Sequence, residues 1–213
     1  QTPDIQTPDV STPTTNFTSD TVNLSGRTFS DNESLVLETG IAVRQTLIVD
    51  STTSFGSAKL INFVVGPGST TDVFDYNAPL FAGDGSPKTS ATPLDLTEVS
   101  ALVSTAISSD TNAVIEFETP GLSDVDFTGS SDSLLADIIN AAESLLEGTV
   151  RPGNANTDAL LIFYEASGQG PTQDAVIIRY QEGAIDTPFD NELAVVAIFE
   201  GVSSGSFDSA NIV

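Results

Sequence analysis

Three apolar runs near the C-terminal end of the chain, residues 160–164 (LLIFY), 175–180 (AVIIRY) and 193–199 (LAVVAIF), constrain the fold most strongly. Each is rich in β-branched or aromatic residues and is about the length of a strand. Between them lie Ser167-Gly168-Gln169-Gly170-Pro171 and the stretch 182–190 with Gly183. These segments supply positive φ at glycine and fixed φ at proline, as turns require. Connections this short favour antiparallel neighbours, because a parallel return needs a longer crossover. The run 193–199 shows no polar alternation, which predicts a strand covered on both faces at the centre of the core.

Charge and composition narrow the function. Six basic residues stand against thirty acidic ones, a net charge of −24, while 39% of the 213 residues are hydrophobic. That is enough apolar material for one sizeable core or two small ones. A field of this sign repels phosphate backbones and anionic lipid, so neither nucleic acid nor a membrane surface is an expected partner, and cations are attracted instead. Cysteine, methionine, histidine and tryptophan are all absent. Without them there is no disulfide, thiolate nucleophile, imidazole base or ordinary zinc site. Lys59 and Lys88 lie in no Ser-x-x-Lys arrangement, and thirty acids bring carboxylate pairs together by chance, so no enzymatic activity is expected. No apolar stretch approaches the ~18 residues of a spanning helix, which predicts no membrane insertion. A chain without methionine that starts on Gln1 is expected to have lost a leader or to be a piece of a longer one.

Along the chain, residues 1–15 repeat Gln-Thr-Pro-Asp-Ile and Gln-Thr-Pro-Asp-Val and then run through Ser11-Thr12-Pro13. Regular proline and few apolar groups describe an extended N-terminal arm with no core of its own. Ile5, Val10 and Phe17 are its candidate anchors on a neighbouring copy. Residues 16–65 form an N-terminal β region of short strands, 21–24, 34–38, 43–49 and 59–65, punctuated by Gly26, Gly40 and Gly56. Loose alternation there fits half-buried strands of an antiparallel sheet. Residues 66–213 form a β-rich C-terminal domain. Within it Leu96, Val99, Leu102, Val103, Ala106 and Ile107 have helical spacing after a capping-box-like Asp95, predicting a helix near 96–108. Residues 113–118 return to strand. A second helix, near 132–147, carries Leu134, Leu135, Ile138, Ile139, Ala142, Leu145 and Leu146 on one face, with Ser131 or Asp132 to cap it and Gly148 to end it. The expected fold class is therefore mainly β, antiparallel or sandwich-like, with one or two helices packed on the sheet.

The glycine-rich turn 66–72 running into Val73-Phe74-Asp75-Tyr76, the segment Asp124-Val125-Asp126-Phe127, the three apolar runs and the ending Phe207-Asp208-Ser209-Ala210-Asn211-Ile212-Val213 together resemble the C-terminal regions of haemolysin-type (RTX-like) bacterial proteins exported by type I secretion. The resemblance covers residues 66–213 and lacks an intact Gly-Gly-x-Gly-x-Asp repeat, so the calcium β-roll of that family is not implied. It implies an uncleaved C-terminal export signal and an extracellular location at a bacterial cell surface.

Acidic turns bring carboxylates and backbone carbonyls together, which is what calcium requires. The candidate ligands are Asp124 with Asp126, Asp186 with Asp190 and Glu192, Asp72 with Asp75, and Asp84 between Gly83 and Gly85. Phe17, Phe55 and Phe81, in polar surroundings, are candidates for an interface with another chain, whereas Phe163, Tyr164, Tyr180 and Phe199 read as core. The expected function is a secreted structural subunit that assembles with copies of itself into a filament or surface layer through the arm, stiffened by Ca2+. The alternative is a calcium-dependent adhesin or carbohydrate-binding module of a larger exported protein, with a glycan or cell-surface ligand.

Overall fold

The computed structural model describes residues 13–39, 44–88, 94–100, 107, 110–119, 121–127, 129, 133–147, 150, 155–166, 173–182, 189 and 192–213. The protein is mainly β, with a single α-helix among these residues packed on a sheet. Its first part has six short strands: β1 (Thr14–Phe17), β2 (Thr21–Asn23), β3 (Ser34–Leu37), β4 (Thr46–Val49), β5 (Lys59–Ile61) and β6 (Val73–Tyr76). The chain deposits them alternately in two sheets, β1–β3–β5 in one and β2–β4–β6 in the other, and every pairing is parallel. Thr14 lies beside Ser34 and Ser34 beside Lys59, offsets of 34 − 14 = 20 and 59 − 34 = 25 residues. The region is thus a coil of three turns, each turn contributing one strand to each sheet.

This corrects the antiparallel expectation for residues 16–65. Leu35, Leu37, Leu47, Val49, Leu60 and Phe74 are fully or almost fully buried, so the period-two pattern is obeyed. Alternation reports which face is buried and is silent on strand direction, which the connections decide. Here they run around a third side, where Thr28 bridges Ser54 in parallel and Phe29 stacks on Phe55 with ring centroids 5.2 Å apart. Phe17 and Phe55 are therefore core side chains, 7% and 2% exposed, and are not offered to a partner. Phe81 is half-buried.

Acidic side chains stitch successive turns together. Asp50 Oδ1 accepts from the Thr52 hydroxyl (2.7 Å) and amide (2.9 Å) and from the amide of Gly26 one turn earlier (3.3 Å). These bonds, the Thr52 hydroxyl first, hold the Asp50 carboxyl down at about 2.

The second part contains the hairpin β7 (Leu80–Phe81) and β8 (Pro87–Lys88), then β9 (Leu96–Val99), β10 (Val114–Phe117), β11 (Asp158–Tyr164), β12 (Ala175–Gln181) and β13 (Leu193–Glu200). The last three are antiparallel neighbours, as their short connections predict, with a bulge between Ile177 and Ile178. β13 pairs in parallel with β5, joining both parts into one sheet of order β1-β3-β5-β13-β12-β11-β10-β9. β13 lies in the middle of this order but is not covered on both faces throughout, since Ala194 is exposed and Val195 and Val196 are half-buried; β11 is the strand buried at every position.

A helix over 96–108 is also corrected at its start, because Leu96–Val99 is a strand parallel to β10. The ladder to Val114, Ile115, Glu116 and Phe117 satisfies its backbone, and Thr97 and Val99 are β-branched. The rest of that predicted helix lies mostly outside the described residues.

The large sheet is covered on both sides. One face, with Leu35, Leu60, Leu160, Ile162, Ala197 and Phe199, packs against Leu47, Val49, Phe74 and Tyr76 of the smaller sheet. The other, with Phe117, Leu161, Phe163, Val176 and Ile198, packs against α1 (Leu134–Leu146) through Leu134, Ile138, Ala142 and Leu146. Helical spacing placed these residues on one stripe, and the helix forms where the sequence predicts it. The proposed caps Ser131, Asp132 and Gly148 lie outside the described residues. Ile212 bridges Phe74 of β6, which adds the C-terminal segment to the small sheet.

Candidate functional site

Parallel register between β9 and β10 sets Glu116 directly beside Glu98. Alternation along β10 sends Ile115 and Phe117 toward α1 and Glu116 to the opposite face, with Glu118 following at the strand's end. One carboxylate oxygen from each of Glu98, Glu116 and Glu118 lies within 4.8 Å of the other two. Glu98 is exposed, Glu118 half-buried and Glu116 fully buried. The Tyr164 hydroxyl on β11 donates to Glu116 Oε1, while Oε2 has no hydrogen-bond partner. Burial pushes the Glu116 carboxyl above its ordinary range and the neighbouring Glu118 and Glu98 charges push the same way, against the pull of the Tyr164 hydroxyl and a Phe207 backbone bond. The Tyr164 hydroxyl is itself held far above the usual range, by burial first and then by its bond to Glu116. The Ser204 hydroxyl donates to the Glu118 carbonyl (2.6 Å), closing the site along the 204–207 segment.

A second group of carboxylates surrounds Lys59. Gly121 is needed here, because a Cβ would sit 2.6 Å from the Glu165 carbonyl oxygen. Its absence lets Leu122 bridge Glu165 and brings the Phe127 amide onto Glu165 Oε1. Asp174 Oδ1 accepts from the Gly201 amide (2.7 Å). Glu165 Oε2 and Asp174 Oδ2 are buried without partners. Burial raises both carboxyls; Asp126 acts on both in the same direction, and Glu200 on Asp174. Lys59 Nζ donates to the Gly129 carbonyl (3.4 Å), and burial lowers its pKa against the raising fields of Glu200, Asp174, Asp126 and Glu165.

The acids singled out from sequence are scattered among several settings. Asp126 is exposed and belongs electrostatically to the Lys59 group. Asp124 is exposed at φ +63°, beside a cleft of about 500 Å³ between residues 122–125 and α1 that Asp137 and Asn140 also line. Asp72 is buried, with Oδ1 accepting from the Gln45 amide and Oδ2 from the Val64 amide, both at 2.8 Å. Asp75 lies on β6, and burial alone pushes its carboxyl up. Asp84 is exposed and accepts from the Ser86 amide at 2.8 Å in a local turn. Glu192 is half-buried, its carbonyl accepting from the Gln181 amide at 2.9 Å. Asp186 and Asp190 lie outside the described residues, as do Ile5 and Val10. None of the acids chosen from turns belongs to the Glu98–Glu116–Glu118 cluster. An acid inside an apolar strand, as in Val114-Ile115-Glu116-Phe117, was the available signal for it.

No family model, curated protein or solved structure matches the chain. No helix among the described residues is long and apolar enough to cross a membrane. The chemistry on offer is that of hard oxygen ligands: carboxylates partly withdrawn from water and grouped on the large sheet.

Proposed function

We propose that the chain is a structural subunit of an extracellular assembly, in which the segment preceding β1 in one copy adds as a strand to the first turn of the coil in the next. The observation that carries this reading is the position of β1 and β2. Among the described residues each is the terminal strand of its sheet, so the first turn presents two parallel edges side by side. A sheet edge offers backbone donors and acceptors in a row, and strand addition uses them without demanding much of the side chains. Residues 1–12, with few apolar groups and regular proline, supply such a strand from a neighbour. Export by a type I route, implied by the resemblance of residues 66–213, is part of the same proposal.

Electron microscopy and sedimentation of the full chain and of a chain lacking residues 1–12 test it. The full chain forms polymers and the shortened chain remains monomeric; polymers of equal length from both would refute the role of the segment. Thr21→Pro, which removes an amide donor from the free side of β2 while the Val22 amide keeps its bond to β4, is expected to cap growth in the same way. A glycan-binding role is the second reading, favoured by the cleft lined by Asp124, Asp137, Asn140 and Ser144, and a glycan array tests it directly.

A further inference from the structure

We propose that Glu98, Glu116 and Glu118 hold one hard divalent cation, calcium in preference to magnesium, at the edge of the large sheet. Two independent observations converge. The first is geometric: three carboxylates from two paired strands each place an oxygen within 4.8 Å of the others, a span that oxygens ~2.3–2.6 Å from a shared calcium ion can cover. The second is a defect in polar satisfaction. Glu116 is 0% exposed, yet its Oε2 has no hydrogen-bond partner while its carboxylate faces two others. A buried acceptor left without a partner is costly, and next to two further negative charges it is costlier.

The three groups do not neutralise one another, and none forms an ion pair with a described basic residue; the ion pair among those residues is Arg179–Asp158. A divalent ion supplies both the missing partner for Oε2 and the missing positive charge. All-oxygen ligation with neither imidazole nor thiolate selects calcium or magnesium over transition metals. Calcium is preferred because it accepts irregular, partly hydrated shells, whereas magnesium demands near-ideal octahedra. Tyr164 serves as a positioning residue: its hydroxyl occupies Oε1 and leaves Oε2 available to the ion. This site is separate from the strand edges of β1 and β2, so it stands or falls apart from the assembly reading.

Terbium luminescence with calcium competition tests the site. The protein has three tyrosines and no tryptophan, so terbium bound here is sensitised mainly through Tyr164. At ~0.15 M salt, which screens diffuse attraction to the acidic surface, one saturable terbium site per chain is expected, displaced by millimolar calcium and at least ~10-fold less readily by magnesium. Glu98→Gln, at an exposed position that does not threaten folding, and Glu118→Gln are each expected to weaken calcium binding ~10-fold or more, and Tyr164→Phe to remove most of the sensitised emission. No saturable site, or wild-type calcium affinity in both Gln variants, overturns the proposal. Equal displacement by magnesium overturns the choice of calcium.

Discussion

The coil of residues 13–76 and the large sheet beyond β5 differ in how fully they satisfy their acids. In the coil, half-buried Asp50 and buried Asp72 accept from backbone amides of neighbouring segments and act as fasteners between turns, while Asp75 on β6 keeps one buried oxygen without a partner. In the large sheet beyond β5, Glu116, Glu165 and Asp174 each keep one buried oxygen without a partner. A coil built from strands of three or four residues has few ladder bonds per turn and recruits side chains to supply more. Beyond β5 the seven- and eight-residue strands β11–β13 supply most of the ladder, and the buried charge sits beside them: Glu116 on the four-residue β10, Glu165 just after β11 and Asp174 just before β12. The lesson is that a buried carboxylate braces the chain where both oxygens find amides, as at Asp72, and strains it where one is left over, as at Glu116, Glu165, Asp174 and, within the coil, Asp75.

The comparison breaks first if the two regions prove to be separate folding units. Phe163→Ala removes a ring that stacks on Phe117 at 4.8 Å beneath α1 and should cost about 3–5 kcal/mol. Urea unfolding followed by circular dichroism is expected to show one transition displaced as a whole, because β5 and β13 are paired; two transitions would separate the regions. Next in size, Asp72→Ala strands the Gln45 and Val64 amides and should cost about 2–4 kcal/mol. Glu165→Gln and Asp174→Asn, which remove charge from buried positions, should by contrast stay within about 1 kcal/mol of the parent at pH 7 or stabilise it. Equal losses at Asp72 and Asp174 would erase the distinction.

Smaller in effect, pH acts on the same groups. Burial raises the carboxyls of Glu165 and Asp174 above the ordinary 4.5 and 3.8, so between those values and the raised ones the native state binds more protons than the unfolded chain. Stability then falls as pH rises through that window, and the melting temperature should be higher at mildly acidic pH than at neutrality. Scanning calorimetry across that range checks it; the Glu165→Gln, Asp174→Asn double variant should show a flatter profile. The smallest expected change is Arg27→Ala, which loses a guanidinium 4.9 Å from the Phe29 ring centroid and about 0.5 kcal/mol.

The antiparallel core was legible because its runs are long: 160–164, 175–180 and 193–199 each sit inside an observed strand, and the Leu134 to Leu146 stripe reads directly as a helix face. The coil was not, since three or four residues carry too little periodicity to fix direction. Its signature is a repeat: Phe29 and Phe55 lie 26 residues apart and stack as equivalent positions of successive turns. At Leu96 a helical spacing of apolar residues competed with a parallel ladder, and the ladder to β10 satisfies the backbone of Leu96–Val99. The candidate site escaped for a different reason. Calcium ligands were sought in turns, whereas Glu116 sits within a strand whose apolar neighbours disguise it as core.

The bridge between Phe74 and Ile212 ties together positions 212 − 74 = 138 residues apart. Asn211 reinforces it, accepting from the Gly66 amide at 2.9 Å and donating to the Asp72 carbonyl at 3.0 Å. The sixth strand is thus flanked by a piece of chain from the far side of the sequence. A protease cut in a loop between them is therefore expected to leave the two fragments associated.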